Sequence, residues 1–139
     1  MNTLQSCQIL FVDDEEEFLS TLVKFLRRKK LNVATANSGM AGLDWFTKNP
    51  VDIVVLDIKM SDLDGLDVLR KMRELKGEDF GVIILSGHAH TDIAMNAMRA
   101  GANDFLLKPC AVDELLERID MLYERLLERR CACDPGGRP

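Results

Sequence analysis

The sequence predicts an α/β fold: a doubly wound, five-stranded parallel sheet with helices on both faces. Three observations predict it. Five short apolar runs each lead into a segment with helical spacing, only a few residues connect them, and polar groups sit at the ends of the runs. Strand and helix alternating through short connections are accommodated by a parallel sheet covered on both sides. The 139 residues, 47% of them hydrophobic, suffice for one domain that buries roughly two-thirds of the surface its unfolded chain exposes. Residues 1–130 are assigned to that domain and 131–139, with Pro135, Gly136, Gly137 and Pro139, to a disordered tail.

The first strand reads from Cys7, Ile9, Leu10, Phe11 and Val12 and stops at Asp13 and Asp14. Glu15, Glu16 and Glu17 are explained by the dipole of the helix that follows. Phe18, Leu22, Phe25 and Leu26 mark its expected buried stripe, and Arg27, Arg28, Lys29 and Lys30 suit its C-terminal end. Residues 31–36 alternate as a second strand, and Ser38 is the expected N-cap of a helix with Met40, Leu43, Trp45 and Phe46 on its apolar side. Gly39 and Gly42 do not make a dinucleotide loop, which needs G-x-G-x-x-G directly after a strand. Asn49 and Pro50 end that helix.

The central strand runs from Ile53 into Asp57, an aliphatic run reading as buried on both faces and ending on a carboxylate. Ligands of open parallel sheets sit beyond the carboxyl ends of the strands, so Asp57 is a site candidate at once. Asp64 and Gly65 close the loop, and Leu66, Val68, Leu69, Met72 and Leu75 form the third helix, stopped by Gly77. A fourth strand, 81–86, ends on Ser86. His88 lies in the loop that follows, and Ile93, Ala94, Ala97 and Met98 mark the fourth helix. Phe105, Leu106 and Leu107 make a fifth strand that stops at Lys108 and Pro109. Val112, Leu115, Ile119, Leu122 and Leu126 form the seam of a long last helix over 112–130. That seam is expected to pack on the sheet; with Tyr123 and Leu127 beside it, an extended coiled-coil dimer is the second reading.

Composition removes several function classes. A net charge of −5 argues against broad nucleic-acid binding by this domain. No apolar run approaches membrane-spanning length and the first residues lack a signal-peptide pattern, so a cytoplasmic protein with no membrane association is expected. Cys7, Cys110, Cys131 and Cys133 form no C-x-x-C pair and are read as reduced thiols.

Four of the five strand ends carry groups used in phosphoryl chemistry: Asp13 and Asp14, Asp57, Ser86, and Lys108. Three carboxylates within about 5 Å repel by about 3 kcal/mol per pair at an effective dielectric near 20. A divalent cation with hard oxygen ligands offsets this, and Mg²⁺ or Mn²⁺ fits. One carboxylate can then act as a nucleophile toward phosphorus. The Lys108 ammonium and the Ser86 hydroxyl suit phosphate oxygens.

With those residues in that order, the chain resembles a response-regulator receiver domain of two-component signalling. The resemblance spans roughly residues 5–127, through the segments 9–14, 54–60, 64–65, 84–88, 100–105 and 108–109. It implies a flavodoxin-like sheet of strand order 2-1-3-4-5. It also implies that Asp57 accepts a phosphoryl group from a sensor histidine kinase or phosphotransfer protein. Asp13, Asp14, Asp57 and the backbone carbonyl of Lys59 would hold Mg²⁺, and Ser86 and Lys108 would contact the phosphoryl oxygens. Phe105 would be the aromatic switch coupled to Ser86, and the Lys108–Pro109 peptide would be cis. The face made by the fourth helix, fifth strand and fifth helix would carry the output or a homodimer. Such a domain promotes only its own phosphorylation and dephosphorylation and turns over no substrate. Ser86 in place of threonine, Ser61 in place of proline and Cys110 in place of an aromatic depart from the commonest pattern, while Lys59 and His88 occupy positions that tune the lifetime of the phosphorylated form. An aspartyl-phosphate hydrolase of the haloacid dehalogenase type is the rival from another class; it needs an aspartate two residues beyond the nucleophile, where this chain has Lys59. A divergent receiver serving only as a binding module is the third reading. No output domain is seen in the sequence, so a stand-alone regulator and a receiver cut from a longer protein are both open.

Overall fold

In a computed structural model, residues 3–87 and 91–132 are described. A 3-10 turn, Thr3–Ser6, precedes β1 (Gln8–Val12), α1 (Glu16–Arg28), β2 (Asn32–Ala36), α2 (Gly39–Lys48) and β3 (Ile53–Leu56). Then come α3 (Gly65–Lys76), β4 (Gly81–Ser86), α4 (Thr91–Ala100), β5 (Asp104–Leu107) and α5 (Val112–Ala132). The strands pair in parallel in the order β2-β1-β3-β4-β5, as the resemblance implied. His88 and residues 133–139, Cys133 among them, lie outside the described residues, and α5 runs two residues further than expected, through Cys131 and Ala132.

Two cores flank the sheet. Odd-numbered residues of β1 and β3, such as Phe11 and Val55, face α1 and α5 together with Ile83, Leu85 and Leu106. Even-numbered ones, Leu10, Val12, Val54 and Leu56, face α2, α3 and α4 with Val82, Ile84 and Phe105. β3 and β4 are buried along their whole length, which explains their unbroken aliphatic character.

The helices present partly different faces from those expected. α1 buries Leu19, Leu22, Val23 and Leu26, leaving Phe25 at the surface beneath the Lys29 ammonium, 5.2 Å from the ring centroid. α2 turns Gly39, Gly42 and Phe46 inward and exposes Met40 and Trp45; a Cβ on Gly42 would meet Val12 Cγ2 at 2.8 Å, so this helix lies close against β1 only because that residue lacks a side chain. Leu75 and Met98 are exposed as well. Tyr123 belongs to the packing seam of α5, only 4% exposed, with its hydroxyl 3.3 Å from Ser6 Oγ, and Leu127 packs against the same core; both are spent on this domain.

Candidate functional site

The site lies at the carboxyl ends of the strands, and the sheet itself places it. Asp13, Asp57 and Lys108 are each the first residue past a strand, and each is locked by one more ladder bond. Asp13 N–H donates to Ala36 O (3.0 Å), Asp57 N–H to Val12 O (2.9 Å) and Lys108 N–H to Ser86 O (2.8 Å). Continuing the strand alternation by one residue turns all three side chains toward the α1 and α5 side.

There they converge. Asp13, Asp14 and Asp57 each offer a carboxylate oxygen, all within 4.8 Å of one another. Lys108 Nζ lies 2.6 Å from Asp13 Oδ2, 2.6 Å from Glu15 Oε1 and 3.6 Å from Asp57 Oδ2. The ammonium also sits 4.7 Å from the centre of the Phe18 ring. Asp13 and Asp57 are only 3% and 7% exposed. Burial, then the Asp13 charge, pushes the Asp57 carboxyl up to about 6, against the opposing pull of Lys108 and the Lys59 N–H. For Lys108, burial alone would lower the ammonium's value, but its bonds to Asp13 and Glu15 outweigh it and hold the ammonium above its usual range.

The loop between β3 and α3 is pinned at several points. Ser61 N–H donates to Asp14 Oδ2 (3.1 Å), a bond that proline at this position would lack. Lys59 and Asp64 form an isolated antiparallel bridge. Asp62 caps α2 from across the loop, its two carboxylate oxygens accepting from Gly39 N–H and Met40 N–H at 3.0 Å each. Those bonds hold the Asp62 carboxyl below its usual range. Asp64 is the N-cap of α3, accepting from Leu66 N–H at 2.9 Å. Gly65 follows because a Cβ there would collide with the Asp57 carbonyl oxygen and lie 2.6 Å from Ile58 Cα.

Ser86 is fully buried at the end of β4. Phe105 pairs with Ile84 in the ladder and is half-buried against the α2, α3 and α4 core, on the same side of the sheet as Ser86 by strand parity. The Lys108–Pro109 peptide is cis. Two residues of the site are not apparent from the sequence. The α1 dipole accounts for Glu15 there, yet its side chain pairs with Lys108; Asp62 caps α2, and nothing local to either residue signals its partner.

This donor set fits a hard divalent cation. The three carboxylates supply oxygen ligands only, and a cation would offset both the burial of the Asp57 charge and its repulsion by Asp13 and Asp14. No described helix is long and apolar enough to cross a membrane.

Comparisons with known proteins identify the family. The family model "Response regulator receiver domain" matches residues 9–120. The transcriptional regulatory protein PrrA of Mycobacterium tuberculosis is 38% identical over 120 residues, covering 86% of this chain and 51% of PrrA. The alginate biosynthesis transcriptional regulatory protein AlgB of Pseudomonas syringae pv. tomato is 38% identical over 108 residues, covering 78% of this chain and 24% of AlgB. The chain therefore spans about half the length of PrrA and less of AlgB. Among solved structures, a receiver domain protein from Clostridium thermocellum superposes with a TM-score of 0.78 at 33% identity, covering 91% of this chain and 98% of that one. A CheY-like receiver domain protein from Methanospirillum hungatei JF-1 gives 0.85 at 25% identity, over 88% and 98%. Fold, strand-end chemistry and relatives converge on one assignment: the chain belongs to the response regulator receiver domain family of two-component signalling.

Proposed function

We propose that Asp57 is the phosphoacceptor and that the domain is switched by the charge placed there. The observation that carries this reading is the meeting of Asp13, Asp14 and Asp57 within 4.8 Å, with Lys108 Nζ 3.6 Å from Asp57 Oδ2, at the carboxyl rim of the sheet. An Asp57 carboxylate oxygen attacks the phosphorus of a phosphohistidine on a sensor kinase or phosphotransfer protein. The P–O bond forms as the P–N bond breaks, and the imidazole leaves with the electron pair and takes up a proton. Asp13, Asp14, Asp57 and the Lys59 carbonyl would hold Mg²⁺ or Mn²⁺, which would neutralise charge on the transferring phosphoryl group. Lys108 supplies a further positive charge, and Ser86 a hydroxyl donor, to the phosphoryl oxygens. The reaction is stoichiometric: the domain catalyses its own modification and its reversal.

The new charge and acceptor oxygens draw Ser86 and Lys108 inward. Phe105, on β5 and packed on the same side of the sheet as α4, carries that movement to the α4, β5 and α5 face, where an output partner or a second copy docks. Turning a resting 1:99 population into 99:1 needs roughly 5.5 kcal/mol of differential stabilisation, within reach of a few charge-assisted bonds. The relatives PrrA and AlgB are named transcriptional regulatory proteins, which supports control of transcription as the output. The hydrolase reading has no support at its key position, because Lys59 stands where the second aspartate would be.

Incubation with acetyl phosphate and Mg²⁺ tests the assignment. Wild type is expected to gain one phosphoryl group by mass spectrometry and Asp57→Asn none; equal labelling of the two overturns it.

A further inference from the structure

Lys108 does not rest on the proposed phosphoacceptor. Its nearest oxygens are Asp13 Oδ2 and Glu15 Oε1, each at 2.6 Å, a full 1.0 Å closer than Asp57 Oδ2 at 3.6 Å. Glu15 also touches the site through its backbone, its N–H donating to Asp13 Oδ1 at 3.0 Å. Asp13, Glu15 and Lys108 thus close a ring of three residues beside Asp57.

The behaviour of Glu15 as an N-cap is the second observation. It occupies the N-cap of α1 in an extended conformation, but its side chain makes no capping bond to the helix. A residue at this position ordinarily turns its side-chain oxygen back on the first helical N–H groups. Here the carboxylate reaches Lys108 instead; the Glu15 side chain is 61% exposed and the Lys108 side chain 14%. Glu15 can therefore release Lys108 into water at little expense, whereas buried Asp13 cannot.

We propose that Glu15 is a positioning residue that holds the Lys108 ammonium away from Asp57 in the resting domain, so that a phosphoryl group on Asp57 must compete with it for Lys108. The inference rests on the phosphoacceptor reading above and deepens it. Asp13 and Glu15 share one ammonium, and Lys108 reaches the phosphoryl oxygens by giving up the more exposed of the two.

Beryllofluoride, an anion that mimics a phosphoryl group on a carboxylate, tests this by calorimetric titration at saturating Mg²⁺. Glu15→Gln is expected to bind it about twofold to fivefold more tightly than wild type, the range spanned by exposed ion pairs. Glu15→Ser is expected to match that gain while capping α1 and raising the melting temperature, which separates the hold on Lys108 from any role in helix stability. Glu16→Gln, which removes the same charge one residue along, is expected to stay at the wild-type value. Unchanged affinity in Glu15→Gln, or an equal gain in Glu16→Gln, overturns the inference while leaving the phosphoacceptor intact. Failure of wild type itself to bind beryllofluoride removes the phosphoacceptor reading and this inference with it.

Discussion

At Asp57 the fold keeps a carboxylate where its charge is unfavourable. Burial and the Asp13 charge raise its carboxyl from the usual 3.8 to about 6. The sign of the consequence follows from linkage: an acid whose folded value lies above its unfolded value is ionised first in the unfolded chain. Asp57 therefore leaves stability intact below about pH 4 and removes it as the pH rises to about 6 and beyond. A shift of this size corresponds to about 2–3 kcal/mol of metal-free stability at neutral pH. Asp57→Asn keeps the shape and discards the charge. In EDTA at pH 7.5 the variant is expected to be more stable than wild type by about 2 kcal/mol, and the difference to close near pH 4. Urea denaturation at the two pH values measures both; a variant no more stable at pH 7.5 would show that Asp57 is not under electrostatic strain.

At the scale of elements, much is legible in the sequence. Strand boundaries and the strand-end placement of Asp13, Asp57, Ser86 and Lys108 come from short apolar runs that end on polar residues, a local signal. Helix faces were less legible. In α1 the expected stripe (Phe18, Leu22, Phe25, Leu26) and the buried one (Leu19, Leu22, Val23, Leu26) both fit helical spacing, so period alone does not choose between them. In α2 the inward face is marked by small residues, and Met40 and Trp45 drew attention to the wrong side. Glu15 and Asp62 were invisible because their partners are 93 and about 22 residues away along the chain, and only the sheet order brings them together. Arg73 is a further case. From α3 its guanidinium donates to Gly101 O (3.0 and 2.6 Å), Gly77 O (3.0 Å), Phe80 O (2.8 Å) and Asn103 Oδ1 (2.9 Å), and it stacks 4.3 Å over the Phe80 ring. It thereby ties the C-terminal ends of α3 and α4 to the starts of β4 and β5. Arg73→Ala orphans several carbonyls together and is expected to cost about 2–4 kcal/mol by urea denaturation. Arg73→Lys should recover less than half, since a point charge cannot reproduce the planar fork; full recovery would mean that charge alone matters there.

Across the whole molecule the two rims of the sheet are built oppositely. At the amino rim each of these carboxylates has a guanidinium partner: Arg130 pairs with Asp52 (2.9 Å) and Asp79 (3.0 Å), Arg129 pairs with Glu78 (3.3 Å), and Asp52 Oδ2 accepts the Gln8 N–H (2.8 Å). At the carboxyl rim Lys108 is, among the described residues, the one cation paired with Asp13, Glu15 and Asp57, and Asp14 adds to the excess. Substitutions at the two rims should therefore act with opposite signs. Asp52→Ala breaks the pairing with Arg130 and strips an acceptor from the Gln8 N–H, and is expected to destabilise the fold by about 1–3 kcal/mol. It should leave the cation site untouched. Under the proposed reading, Mg²⁺ held at the carboxyl rim by the folded chain and not by the unfolded one would stabilise the entire domain by RT ln(1 + [Mg²⁺]/Kd), about 1.4 kcal/mol at ten times Kd. That corresponds to a rise of roughly 4–6 °C in Tm for a domain of this size. Wild type and Asp52→Ala, starting from different melting temperatures in EDTA, should gain the same increment on addition of Mg²⁺. Asp57→Asn, starting higher than either, should gain much less, because it has lost both a ligand and the repulsion that the cation relieves. An equal Mg²⁺ increment in Asp57→Asn would place the binding elsewhere, and a lost increment in Asp52→Ala would mean that the rims are not independent.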